Sequence, residues 1–195
     1  MPNEIVLWNA KLPKEGRLKF RDEYYATIEE CAKKKKSLEI SNGSPEHAAR
    51  LMETFFKYGR KRVFIFTGKL EHVYDADDMI DEALTFLNKP DCSLTIAFAD
   101  KGVLDTDIKN HAFIKGIISD SNAAKKFKLY DAREWFSEIS HFALMDNSAY
   151  RYEIDHDKSQ AIANFNDVKT VQRLEAIAES ITGNSKEISF DGGSA

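Results

Sequence analysis

Two cysteines, Cys31 and Cys92, are all that this chain of 195 residues carries. They fall in different predicted elements with no metal-ligand spacing around either, which argues against a disulfide scaffold and for a thiol-bearing cytoplasmic protein. No stretch approaches the roughly 20 consecutive apolar residues of a membrane span, and the opening MPNEIVLWNA has no cationic start followed by a long apolar run. The expected location is therefore cytoplasmic, with no membrane partner. A Gly-rich phosphate loop, a nucleophile elbow and a Cys–His pairing are all missing, and no internal repeat is visible. No cofactor is called for. Charge of one sign is lacking too: 28 basic against 32 acidic side chains leave a net charge of -4, so no global field holds a polyanion on the surface. Nucleic acid would need a local basic patch.

What is present suits a single soluble domain. Hydrophobic residues make up 43% and charged residues 31%, with thirteen Phe as bulky core material. The chain divides into an N-terminal arm and helix over 1–37, a body over 38–183 and a flexible tail over 184–195. Lys33 to Lys36 ends the first helix, where cations complement the helix dipole. Ser44-Pro45-Glu46 is a helix start, with a serine cap and proline in the first turn, and His47 is expected to stand exposed in that turn. Leu51, Met52, Phe55 and Phe56 follow at helical spacing.

Arg60, Lys61 and Arg62 precede the continuous apolar run Val63 to Phe66, which reads as a strand buried on both faces of a mostly parallel sheet. A helix near 76–88 begins among Asp75, Asp77 and Asp78, which are placed to cap it, while His72 in the loop before it has no evident partner. Ser93 to Ala99 and Phe127 to Tyr130 continue the strands, with a helix near 105–117 between them. After Trp135 the rhythm changes to strands in succession, over 139–145, 149–154 and 161–165, the first two joined at Asn147-Ser148. Val168 to Ile181 is an amphipathic closing helix with Asn166-Asp167 as cap and Gly183 as stop. The fold class is α/β: a mixed, mostly parallel central sheet flanked by helices.

The candidate chemistry lies in this last third. His141 near Asp146 reads as a histidine held by a carboxylate; Asn164 lies within an apolar run; and Arg151 and Glu153 share one face of a strand, with Lys158 following. A metal-dependent nuclease built from Asp146, Glu153 and Lys158 fails on spacing, because the acid expected two residues before the lysine is His156. No metal site is expected.

The order of elements over 38–181 and the His141, Asp146, Asn164 series resemble one half of the phospholipase D superfamily, whose motif reads H-x-K, four residues, D, then G-S-x-N. The resemblance implies that His141 matches the motif histidine and Asp146 the aspartate, with Asn164 the asparagine. The motif's lysine position is Ala143, the aspartate comes two residues early, and Ala161-Ile162 replaces Gly-Ser. In that family two motif copies meet, one histidine attacking phosphorus and the other protonating the leaving group, while lysines and asparagines hold phosphate oxygens. Loss of such a cation costs about 3 kcal/mol of transition-state stabilisation by analogy with oxyanion-hole donors.

The resemblance therefore implies a catalytically degenerate module in a bacterial or phage cytoplasm, acting through a protein partner or as a homodimer. Trp8, Phe20, Tyr24 and Tyr25 of the N-terminal arm are the expected contact. The alternative is a dimeric phosphodiesterase or nuclease with His141 and Asn164 in the reaction and Arg151 or Lys158 replacing the lysine. A third reading is nucleic-acid binding without cleavage through Lys33 to Lys36 and Arg60 to Arg62.

Overall fold

The computed structural model describes residues 14–68, 70, 74, 77–100, 105–135, 138–155 and 160–190. The first element is α1 (Lys14–Lys34), then β1 (Ile40–Asn42) and α2 (Pro45–Tyr58). The Ser44 hydroxyl accepts from the His47 N–H, so the serine cap read from the sequence is in place. Next come β2 (Arg62–Thr67), α3 (Asp77–Asn88) and β3 (Ser93–Phe98). The single helix expected near 105–117 is broken into α4 (Asp105–Asn110) and α5 (Ala112–Ser119), because His111 caps α5 by accepting the Phe113 N–H on Nδ1. α6 (Ser121–Ala124), β4 (Phe127–Asp131) and a 3-10 turn (Arg133–Trp135) follow. The hairpin run comprises β5 (Phe142–Met145), β6 (Ala149–Asp155) and β7 (Gln160–Asn164), before α7 (Val168–Asn184) and β8 (Lys186–Glu187).

These strands form one eight-stranded sheet in the order β1-β7-β6-β5-β2-β3-β4-β8. The α/β class holds, but only β2–β3 and β3–β4 pair in parallel, so the sheet is mixed and mostly antiparallel. The difference has a simple cause. Among neighbours in the sheet, helical crossovers, which parallel pairing requires, join only β2 to β3 and β3 to β4, whereas β5, β6 and β7 follow one another through short links that allow antiparallel pairing alone.

Two cores lie on the two faces. One contains Val63, Ile65, Leu94, Ile96, Ala143, Met145 and Ala163 beneath Ile28, Leu51, Phe55, Phe56 and Phe113 of the helices. On the other, α7 lays Val171, Leu174, Ala178 and Ile181 over Phe64, Phe66, Phe142, Leu144 and Tyr150. Gly59 ends α2 where no larger residue fits, since a Cβ there would meet the Phe55 carbonyl at 2.7 Å and Phe86 at 2.9 Å. Gly183, read as the stop of α7, lies inside it; the helix ends one residue later at Asn184. The stretch from 184 read as a flexible tail adds β8 antiparallel to β4 and stacks Phe190 on Phe127. No helix among the described residues is long and apolar enough to cross a membrane.

Candidate functional site

Register decides which polar side chains share a neighbourhood. β5 runs from His141 toward Met145 and turns at Asp146; β6 returns, pairing Met145 with Ala149, Ala143 with Arg151 and Phe142 with Tyr152. The Glu153 N–H donates to the His141 carbonyl at 2.9 Å, so these two residues stand side by side. β7 sets Ala161 beside Glu153, and β1 sets Asn42 beside Ala161. On the far side Phe66 pairs with Phe142, which brings Thr67 and Gly68 level with His141. The result is a polar row across the sheet, at the ends where β2 and β3 finish, which is where open α/β sheets place ligands.

Within the row the His141 imidazole is held at both nitrogens. Its Nδ1 meets Glu153 Oε2 at 2.7 Å, and its Nε2 accepts the Gly68 backbone N–H at 2.9 Å. The second bond makes Nε2 an acceptor, so Nδ1 carries the ring proton and donates it to the carboxylate. Glu153 is thus the orienting carboxylate that the sequence had assigned to Asp146. It is buried, and the Arg151 guanidinium lies 4.0 Å from its other oxygen. Arg151 is mostly covered and its Nε has no hydrogen-bond partner among the described residues. Ala143, in the lysine position of the motif, is buried between Ile65 and Arg151 in register.

Asp146 and Asn164 lie elsewhere. Five residues separate His141 from Asp146 along an extended strand, about 16 Å at the usual rise. Asp146 has φ +54° and turns its carboxylate onto three successive backbone N–H groups, those of Arg60, Lys61 and Arg62, at 2.8 to 3.2 Å. It is a turn residue that closes a backbone nest. Asn164 pairs in register with Tyr150, toward the Asp146 end, and its side-chain oxygen accepts the Asn166 N–H at 2.8 Å. The match of sequence spacing to the motif asparagine therefore does not put Asn164 beside His141; in space that place is Glu153's. The same separation denies Asp146 and Glu153 a shared metal, because metal-bridging carboxylates lie within a few ångströms of one another. Lys158, His156, His72, Asp75 and Trp8 fall outside the described residues.

One contributor to the row, Asn42, has no sequence signal. Asn42 is 2% exposed, and neither its amide nitrogen nor its oxygen finds a partner among the described residues. Above it, α1 and α2 close the face. His47, expected to be exposed, is buried and stacks on Tyr24 with ring centroids 3.9 Å apart, while the Tyr24 hydroxyl donates to the Ser41 carbonyl at 2.9 Å. Burial drives the Tyr24 phenol well above its ordinary pKa and the His47 imidazole below its own. Tyr25, expected with Tyr24 at an interface, is half-buried and lies against the Arg50 guanidinium.

The sheet order and the placing of His141 can be set beside solved structures. The sequence matches no protein-family model and no curated protein. In three dimensions the chain is similar to Nuc, a phospholipase D family member from Salmonella typhimurium, at TM-score 0.57 and 10% identity over 78% of this chain and 99% of that one. The fold is phospholipase D-like. NucT from Helicobacter pylori aligns at TM-score 0.51 and 9% identity, again over 78% of this chain and 99% of its own. TrmBL2, an archaeal chromatin protein with a novel mode of DNA binding, aligns at TM-score 0.57 and 9% identity over 90% of this chain, which spans only 64% of TrmBL2. In this phospholipase D-like fold His141 stands at a strand entrance, between a carboxylate and a backbone donor.

Proposed function

We propose that the chain is a catalytically silent phospholipase D-like module that acts by associating with a protein partner or with a second copy of itself. One observation carries the reading: the His141 Nε2 lone pair, which a phosphorus-attacking imidazole must keep available, is occupied by the Gly68 N–H. The buried Ala143 supports it by leaving no cation in the motif's lysine position. Association is proposed of the face carrying α7. Ile154 at 60% and Val168 at 43% are the large apolar side chains left exposed among the described residues.

A residual phosphodiesterase is the second reading, favoured by Arg151 standing on the same carboxylate as His141. It requires Gly68 to release Nε2. A metal-free assay on DNA, RNA and a chromogenic diester separates the two. The silent module shows no turnover above the buffer blank, and turnover abolished by His141→Ala reverses the assignment. Light scattering on the same preparation reads the association, and a strict monomer that crosslinks to nothing removes it.

A further inference from the structure

Both lysine- and arginine-rich runs that stood apart in the sequence meet at one end of the fold, and it is the end opposite the His141 row. α1 runs alongside α2 in the same direction: Tyr24 stacks on His47 near the start of α2, and Glu29 meets Lys57 near its finish at 2.7 Å. Lys33 to Lys36 therefore arrive next to the finish of α2, where Arg60 to Arg62 begin β2. The neighbouring strands extend the series. The Ser93 N–H donates to the Lys61 carbonyl at 2.8 Å and the Leu94 N–H to the Lys126 carbonyl at 3.0 Å, so Lys61 and Lys126 start strands two apart, about 10 Å from one another.

Some of these cations have structural work. The Lys89 ammonium donates to the carbonyls of Phe56, Lys57 and Gly59, and the Lys126 ammonium to those of Leu87 and Lys89, closing the ends of α2 and α3. Lys34 and Lys36 share Glu30. Lys33, Lys35, Arg60, Lys61 and Lys125 are different: each is exposed, and none forms an ion pair with a described residue. The carboxylates that could neutralise them are engaged. Asp146 is bound by backbone N–H groups, Asp120 by those of Asn122 and Ala123, and Glu175 by Arg62, which leaves Asp91 between the strands and Glu39 before β1 as the exposed acids of this end.

We infer that this end of the fold is a docking surface for the phosphate backbone of a nucleic acid, read without base specificity and without the His141 row. The chemistry favours nucleic acid over a lipid surface. An anionic membrane calls for apolar anchors among the cations, and Val168 is the one large exposed apolar side chain near this end among the described residues. A duplex presents about one charge per 1.7 Å, a density that a ridge of cations at least 10 Å long engages at several points.

The test uses the full chain and a fluorescently labelled 20-base-pair duplex, with anisotropy read from 50 to 200 mM salt. The expected result is binding that weakens linearly in log–log form with salt. The double reversal Arg60→Glu, Lys61→Glu lowers affinity at least tenfold, and Arg60→Ala alone reduces the salt slope by about one. Lys33→Glu, Lys35→Glu, at the finish of α1 and the turn after it, gives the same loss and carries the test should the first pair fail to fold. Lys115→Glu, exposed in mid-α5, leaves affinity unchanged. No binding, salt-insensitive binding, binding that survives both double reversals, or preference for phosphatidylserine vesicles over the duplex overturns the inference. Because the readout is binding, it stands or falls separately from the hydrolysis assay.

Discussion

Spacing in the sequence makes Asp146 a partner for His141, yet its carboxylate is bonded at the start of β2. An aspartate tolerates φ +54° better than a bulky residue, because its short polar side chain bonds locally. At the tip of a hairpin that tolerance places it, and its carboxylate then finds the three N–H groups at the start of β2. Asp146→Ala leaves those donors without an acceptor and puts a Cβ-bearing residue without local bonds in the left-handed region. The expected cost is about 2 kcal/mol in urea unfolding, and duplex affinity in the folded fraction rises rather than falls, because an acid is removed from beside Arg60 and Lys61. A loss of duplex affinity with stability intact would return Asp146 to a functional role. His141 and Glu153 obey the same logic in reverse: spacing favoured Asp146, but antiparallel register carried Glu153, twelve residues on, to the side of the imidazole.

Among the elements, α7 shows the clearest passage from residues to stability. Asp167 accepts the Thr170 N–H at 3.1 Å and its hydroxyl at 2.7 Å, and these bonds hold its carboxyl below the usual aspartate range. A carboxylate depressed in the folded state contributes stability that is present above its unfolded value, about 3.9, and is lost as pH falls through the lower folded value. Asp167→Ala is expected to cost about 1 kcal/mol at pH 7. Its difference from wild type, followed by thermal melting from pH 7 to 2, shrinks only below about pH 4. A difference that stays constant throughout would mean that packing of α7, rather than the cap, sets the loss. The helix registers on the sheet through Val171, Leu174, Ala178 and Ile181, the series its sequence spacing picked out.

For the molecule as a whole, the sheet is closed at both edges by short strands, β1 with three residues and β8 with two. Short edges offer little template for pairing with another chain. β8 also brings Ile188 into the core and Phe190 onto Phe127, so removing everything after Asn184 deletes both and uncovers Phe127. A chain truncated there is expected to lose about 3 kcal/mol, read as a lower urea midpoint, on the usual figures for burying large apolar side chains. An unchanged midpoint would make the segment from 184 the free tail that its composition suggests. The charge distribution belongs to this scale too. With 28 cations against 32 acids the chain has no net attraction for a polyanion, yet the fold gathers two distant basic runs at one end.

The α/β class, the serine cap of α2, the buried β2, the hairpin at Asn147-Ser148, the cap and apolar face of α7 and the phospholipase D-like order of elements were all written locally. Each depends on residues close together in the chain, through periodicity, caps and turn chemistry. What the tertiary structure alone decided is long in range: the antiparallel majority of the sheet, the pairing of His141 with Glu153 and Gly68, the burial of Asn42 and His47 beneath α1, and the meeting of Lys33 to Lys36 with Arg60 to Arg62. Strand register is set by which faces can be buried together, and a slip of one residue would send His141 to the other face of the sheet. Such a choice is made between segments tens of residues apart, where neither spacing nor composition carries the information.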